Sequence, residues 1–195
     1  MTSPDIRRTR PGRPAWQWRR RLPRHAAACV ALIVFGGLAL GGPLAEAPIK
    51  AAFVYNFAKY AKWPESAFAA ADSRLLICSL GRDDETRELA SMEMKPIQGR
   101  AVVYQPRSTV EDLRGCHVAY IAESEEKSLA DVLQALRGAP VLTVAEFDGF
   151  ASGGGMIGLY VAESRVRFEV NLAAVRATGL QLGSNLLKLA RIIRD

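Results

Sequence analysis

The stretch Leu75-Leu76-Ile77-Cys78-Ser79-Leu80-Gly81, continued by Arg82-Asp83-Asp84-Glu85, decides the architecture of this chain. A nearly unbroken apolar run stopped by a glycine marks a strand buried on both faces, which is the condition of a strand inside a parallel sheet. The acids that follow open a polar helix reaching to about Met92, at the end where the helix dipole favours negative charge. A strand that runs straight into a helix is half of a parallel crossover unit.

The same alternation continues in both directions. A short strand is expected from Ala101 to Tyr104, a short helix from Val110 to Arg114 and a third strand over His117-Val118-Ala119-Tyr120-Ile121. Ser124 is read as the N-cap of a helix whose apolar positions are Leu129, Val132, Leu133 and Leu136, and Val141 to Val144 make a fourth strand. The pattern then changes to two strands, Met156 to Val161 and Val166 to Val170, close enough for an antiparallel hairpin, with the second read as an edge strand. Helices over about 172–177 and 184–193 close the chain. Upstream, Ile49, Ala52, Phe53, Phe57 and Tyr60 form an apolar stripe on a helix over 48–63, with Lys50, Lys59 and Lys62 off the stripe and Asn56 read as a core amide. The expected fold is α/β: a single domain over 48–195 with a mostly parallel, Rossmann-like sheet of about six strands, a C-terminal antiparallel hairpin and flanking helices.

Residues 1–47 read as an export signal. Eight arginines between Arg7 and Arg24 face a single acid, Asp5, and precede the apolar run from Ala26 to Leu40. Gly41, Gly42 and Pro43 end that run, and the small residues Ala45 and Ala47 suit a signal peptidase, with cleavage after Ala47 or after Ala45. Its glycines leave about fifteen good apolar residues where a membrane span needs about twenty, so cleaved export is favoured over a retained anchor. Removing the leader changes the charge. Of 26 Lys and Arg eight lie before residue 46, and of 20 Asp and Glu only Asp5 does, which leaves 18 basic against 19 acidic side chains. The high pI belongs to the leader, and nucleic acid is not an expected partner. Cys29 leaves with the leader too. Cys78 and Cys116 remain, and an oxidising compartment favours a bridge between them over a pair of small buried hydrophobes.

Little here supports catalysis. His117 is the only histidine after the leader and is read as an exposed or capping residue; no metal site of ordinary spacing forms around it, and there is no G-x-S-x-G elbow. Gly153-Gly154-Gly155 precede a strand and not a helix, so a turn or bulge is expected there and not a phosphate loop. No catalytic residue, metal or cofactor is assigned. In open α/β sheets ligands sit beyond the carboxyl ends of the strands, which here are Gly81 to Asp84, Glu123 to Glu125 and Glu146 to Gly149. Their acids suit a cation or a protein surface, and helix-starting chemistry explains them equally.

Taken in order, several segments resemble the YfiR family of periplasmic proteins: Lys50-Ala51-Ala52-Phe53-Val54-Tyr55-Asn56-Phe57-Ala58-Lys59-Tyr60 with Trp63-Pro64, Leu76 to Gly81, Cys116-His117-Val118, Gly154-Gly155-Met156-Ile157, Arg167 to Leu172, and Leu186-Leu187-Lys188-Leu189-Ala190. The resemblance implies a small dimeric α/β domain that represses an inner-membrane diguanylate cyclase by binding its periplasmic sensor region, and that an outer-membrane lipoprotein can sequester. Cys78 and Cys116 match one cysteine pair of the family; a second pair, around Glu146 to Gly153, has no counterpart. Arg100, Arg167 and Asn171 stand in matching motifs as candidates for a partner or ligand surface, beside plainer roles as turn anchor and helix cap. A periplasmic small-ligand-binding module without a cyclase partner is the alternative, and an enzyme centred on His117 a weaker one.

Export is checked directly. Intact-mass analysis of the periplasmic protein should give a new N-terminus at about residues 46 to 48; a full-length chain recovered from the cytosol would overturn the assignment of the leader.

Overall fold

Strand β2 (Leu75–Leu80) spans the six expected residues and lies inside the sheet, with β3 (Val102–Arg107) parallel on one side and β4 (Val118–Ile121) parallel on the other. The computed structural model in which it is seen describes residues 46–193; all but the last two residues of the expected leader lie outside them. Side chains of β2 alternate between two cores. Leu75 and Ile77 enter one, while Cys78 and Leu80 enter the other, so the run is apolar except at Ser79, whose hydroxyl is hydrogen-bonded to that of Tyr104 at 2.7 Å. β4 and β5 (Leu142–Ala145) divide in the same way, Val118, Tyr120, Leu142 and Val144 facing the first core and Ala119, Ile121 and Ala145 the second.

Helix α1 (Glu46–Tyr60), α2 (Asp84–Ser91) and α4 (Leu172–Ala177) contribute to the first core. The second is covered by α3 (Leu129–Ala135) and the 3-10 turn Glu111–Gly115. The sheet continues through β6 (Ile157–Ala162) and β7 (Arg165–Asn171), an antiparallel hairpin, to β9 (Arg191–Ile193), giving the order β3-β2-β4-β5-β6-β7-β9. A two-residue pair, β1 (Ala61–Lys62) with β8 (Gln181–Leu182), ties the end of α1 to the segment after α4.

The mixed α/β class, the parallel strands and the hairpin are as the sequence predicts, but the sheet has seven strands, because the last expected helix is mostly absent. Helix α5 (Ser184–Leu187) is one turn long, and Ile192 and Ile193 then extend along β7, pairing with Val170 and Asn171. An open edge beside β7 is a row of unpaired backbone groups, and two β-branched residues suit that edge better than a helix end. The Arg191 guanidinium pairs with Glu169 and lies 4.8 Å from the centre of the Tyr160 ring, so β7 is not the edge strand.

Three other expectations are corrected. Helix α1 turns a different face inward: Lys50, Ala51, Val54, Phe57 and Ala58 are buried, Ile49 and Tyr60 are exposed, and Asn56 is exposed and not a core amide. Phe57 belongs to both faces, and Lys50, Ala51, Val54 and Ala58 stand beside it on the inner side in place of Ile49, Ala52, Phe53 and Tyr60. Ser124 caps no regular helix. It lies in the 3-10 stretch Glu123–Ser128, where its hydroxyl accepts a 3.4 Å hydrogen bond from the Arg82 backbone N–H. His117 is buried. The three glycines at 153–155 form a turn as expected, and a Cβ on Gly155 would meet the Phe150 ring at 2.4 Å, so the chain there can only be glycine.

Cys78 and Cys116 are bridged, with Cα atoms 6.0 Å apart across a separation of 38 residues. The bridge pins the centre of β2 to the chain entering β4, inside the second core. In the chain-entropy view, closing such a loop stabilises by about 3 to 4 kcal/mol. Cys78→Ser should lower the melting temperature clearly while leaving the circular dichroism spectrum unchanged; an unshifted melt would show that packing alone holds this part of the sheet.

Candidate functional site

At the carboxyl end of the parallel strands a lysine is buried among acids. Lys50 is 5% exposed, and its ammonium lies 3.1 Å from Glu46, 3.6 Å from Glu85 and in direct contact with Glu146. Each acid comes from a different element: Glu46 one turn back on α1, Glu85 in the first turn of α2, and Glu146 just after β5. Placing an ammonium in an apolar interior is costly unless it is paired and hydrogen-bonded. Burial works to lower the Lys50 pKa, but hydrogen bonds with Glu146 and Glu46 and the charges of Glu146 and Glu85 outweigh it, and the group is held above the usual lysine value. Burial pushes the Glu146 carboxyl up, against the opposing pull of Lys50.

Asp83 extends this network. One of its carboxylate oxygens accepts from the Thr86 N–H at 2.8 Å, and the Thr86 hydroxyl oxygen accepts in return from the Asp83 N–H at 3.0 Å, a capping box that starts α2. The other oxygen accepts from the Tyr120 hydroxyl at 3.0 Å. Burial, then the charges of Asp83 and Glu85, drive the Tyr120 phenol far above its ordinary range, so it remains a proton donor. Each group in this cluster is thus engaged in holding α1 and α2 to the ends of β4 and β5. No side chain in it is an activated nucleophile, and no grouping of His, Cys, Asp and Glu among the described residues could hold a metal ion.

The opposite end of the sheet carries an aromatic corner around His117. Its Nδ1 accepts from the Leu76 N–H at 3.0 Å, the Trp63 indole donates to its carbonyl at 3.2 Å, and its ring stacks on Phe68 at 4.4 Å. Burial lowers its pKa, so the imidazole is neutral, with its proton on Nε2. A ring with one nitrogen bound to the backbone and the other enclosed makes a poor general base. Arg100 closes this corner, lying 3.7 Å from the centre of the Phe68 ring and donating to the carbonyls of Ala70 at 3.1 Å and Ser73 at 2.9 Å. It anchors the loop before β2, and beside it opens a cleft of about 510 Å3 lined by Trp63, Glu65, Phe68, Gln98 and Arg100.

The other two residues singled out from the sequence stand apart from Arg100. Asn171 is the N-cap of α4: its side-chain oxygen accepts from the Ala174 N–H at 2.9 Å, and its amide donates to the Ala151 carbonyl at 2.9 Å. Arg167 lies on the outer half of the hairpin, 3.9 Å from Glu163 in an exposed pair. The strand register puts Arg100 just before the amino end of β3, Asn171 beside the amino end of β6, level with the middle of β2, and Arg167 toward the carboxyl end of β6. Sequence reasoning missed the Lys50 network. Its signal was a second helical stripe, Lys50-Val54-Phe57-Ala58-Ala61, as regular as the aromatic one and sharing Phe57 with it.

Lys50→Met should destabilise the protein by about 2 to 4 kcal/mol at neutral pH, somewhat less than breaking a wholly buried pair because Glu46 and Glu146 are partly exposed. The sign of its pH dependence follows from both partners. With its pKa raised, Lys50 contributes fully below 10.5 and loses that contribution only as pH rises through the folded value. Glu146, also raised, favours the fold most below 4.5 and progressively less as pH rises through its folded value. The deficit of Lys50→Met, measured by denaturant titration at about pH 7.5 and about pH 4.5, should therefore narrow on acidification; an equal deficit at both would attribute it to packing.

One solved structure to which the chain is similar is described as the ABC domain in complex with L-Trp from Streptococcus pneumonia, at 8% identity and a TM-score of 0.44, covering 61% of this chain and 55% of that one. The chain thus spans little more than half the length of that protein. A family model described as YfiR/HmsC-like matches residues 47–191, which is nearly the whole described domain. The chain belongs to the YfiR/HmsC-like family.

Proposed function

We propose that this protein works in the periplasm as an inhibitor of an inner-membrane diguanylate cyclase, binding the periplasmic sensor region of that enzyme as a homodimer and lowering cyclic di-GMP. An outer-membrane lipoprotein sequesters it when the cyclase is to be released. The observation that carries this reading is the family match across residues 47–191, behind an N-terminal segment with the pattern of an export signal. Two features agree with it. The Cys78–Cys116 bridge suits an oxidising compartment, and the Lys50, Glu85, Glu146, Asp83 and Tyr120 side chains at the strand ends are taken up in holding α1 and α2 to the sheet.

The second reading is a small-ligand-binding module, and one observation favours it. Strand order reverses between β2 and β4, the switch point where open α/β sheets place ligands. There a crevice of about 360 Å3 is lined by Gly81, Arg82, Arg107, Ser108, Ser124 and Glu125. Gly81 has φ +81°, and a Cβ there would stand 2.5 Å from the Ser124 hydroxyl, so the backbone approaches the crevice closely.

Deleting the gene should raise cyclic di-GMP and biofilm formation, and the rise should vanish when the cognate cyclase is deleted as well. Unchanged cyclic di-GMP, together with a metabolite that raises the melting temperature of the purified protein, would replace the inhibitor by the ligand-binding reading.

A further inference from the structure

Four large hydrophobic side chains are exposed among the described residues, and three of them, Ile49 at 36%, Val161 at 42% and Leu189 at 72%, surround one trough. The trough has two joined parts, of about 630 Å3 and about 290 Å3, which share Phe53 and Val166. Its floor is rigid. Phe53 packs on Phe57 and on Phe168 at 5.8 Å each, and those two rings lie 5.0 Å apart. The walls come from the outer stripe of α1, the β6–β7 hairpin and the chain after α5. Clustered exposed apolar surface of this kind, rimmed by polar groups, marks a place where another molecule binds.

The rim states what that molecule carries. Arg165, Arg167 and Lys188 line the trough. Arg167 is balanced by Glu163, and Glu46, at the far end, is engaged with Lys50. Arg165 and Lys188 form no ion pair among the described residues. The surface therefore presents an apolar floor and two uncompensated cations, on a domain that is otherwise close to neutral after its leader. A second copy meeting this face about a two-fold axis would set the same cations against themselves, since an isologous contact uses the same patch twice.

We infer that this trough receives a short apolar segment flanked by carboxylates, contributed by the protein partner. Buried apolar contact with Phe53, Val161 and Leu189 supplies affinity, and Arg165 and Lys188 meet the flanking acids and set orientation. The inference rests on the inhibitor reading and names the surface that performs it.

The test measures binding of the exported protein to the isolated periplasmic region of the cognate cyclase by calorimetry, with self-association followed by light scattering. Leu189→Glu and Val161→Glu alter exposed side chains, so melting temperatures should stay within a few degrees of the parent. Each should weaken binding at least tenfold. The double variant Arg165→Glu/Lys188→Glu, which leaves the apolar floor intact, should weaken it several-fold and flatten its salt dependence. If the parent binds the cyclase region and all three variants bind it equally well, the trough is the wrong surface and the inhibitor reading stands. If the same substitutions dissolve a dimer while cyclase binding persists, the trough joins two copies and the inference is overturned. If the parent itself does not bind the cyclase region, the inhibitor reading falls, and the inference with it.

Discussion

A parallel strand bonded on both edges and covered on both faces is almost removed from water, and β2, with five of its six residues buried, is in that position. Its six residues make the surrounding layout nearly obligatory: each face needs a helical cover, and each return crossing has to carry the chain over one of those faces. β3 and β4 flank β2 on opposite sides, so the chain crosses from one side of β2 to the other, and the switch point arises from that crossing. Cys78 and Cys116 fall where the crossing chain passes closest to β2 on the second core. The bridge fastens a join that the topology already requires, and full burial of Leu75 and Ile77, about 1.5 to 3 kcal/mol each, is comparable with it in size.

Sheet burial also explains why an ionic network sits where the strands end. Carboxyl ends of parallel strands release the chain into helix starts, and helix starts collect acids because of the dipole and the unpaired N–H groups. Asp83 and Glu85 are such acids after β2, and Glu146 lies at the end of β5, on the far side of β4. With α1 packed across these ends, their charges would face an apolar helix surface. Lys50 supplies the counter-charge, reaching from α1 to α2 and to the end of β5. The network depends on its cation, since removing Lys50 leaves Glu85 and Glu146 confined together. Through it the first turns of α1 are tied to α2 and to the end of β5, beside the apolar contacts of Val54 and Phe57.

Much of the fold was legible because period and punctuation agreed: five of the six expected strands are found within about a residue or two of their expected limits, and α4 matches its expected bounds. What was not legible has identifiable causes. Residues 184–193 carry leucines at helical spacing, and only the open edge of β7 makes Ile192 and Ile193 extend; that edge is a tertiary fact with no local signature. His117 reads as polar at a strand start, yet the aromatic residues that enclose it, Trp63 and Phe68, come from a loop about fifty residues earlier. In α1 two stripes competed. Hydrophobicity chose the aromatic one, while the fold buries the one that begins at Lys50. Lys50 was set aside for its charge, because the acids that neutralise it belong to elements that the sequence does not place beside it.

The competition between the two stripes of α1 has a functional side. The inner face of α1 takes Ala51, Val54, Phe57 and Ala58 and leaves Ile49 and Phe53 to the flank, where Phe53 still finds Phe57 and Phe168 but Ile49 is left partly in water. Had the aromatic stripe been innermost, Lys50 would point to solvent, and the acids at the ends of β2 and β5 would lack their cation. The same rotation that secures the buried ion network thus exposes the apolar flank. The hairpin loop, with Glu163 and Ser164 both at positive φ, and the strand β9 that follows Leu189 then fix the other walls of the trough. Because Phe53 is held by two neighbouring rings before anything binds, little side-chain entropy remains to be lost there on association, and a surface of modest area can bind firmly.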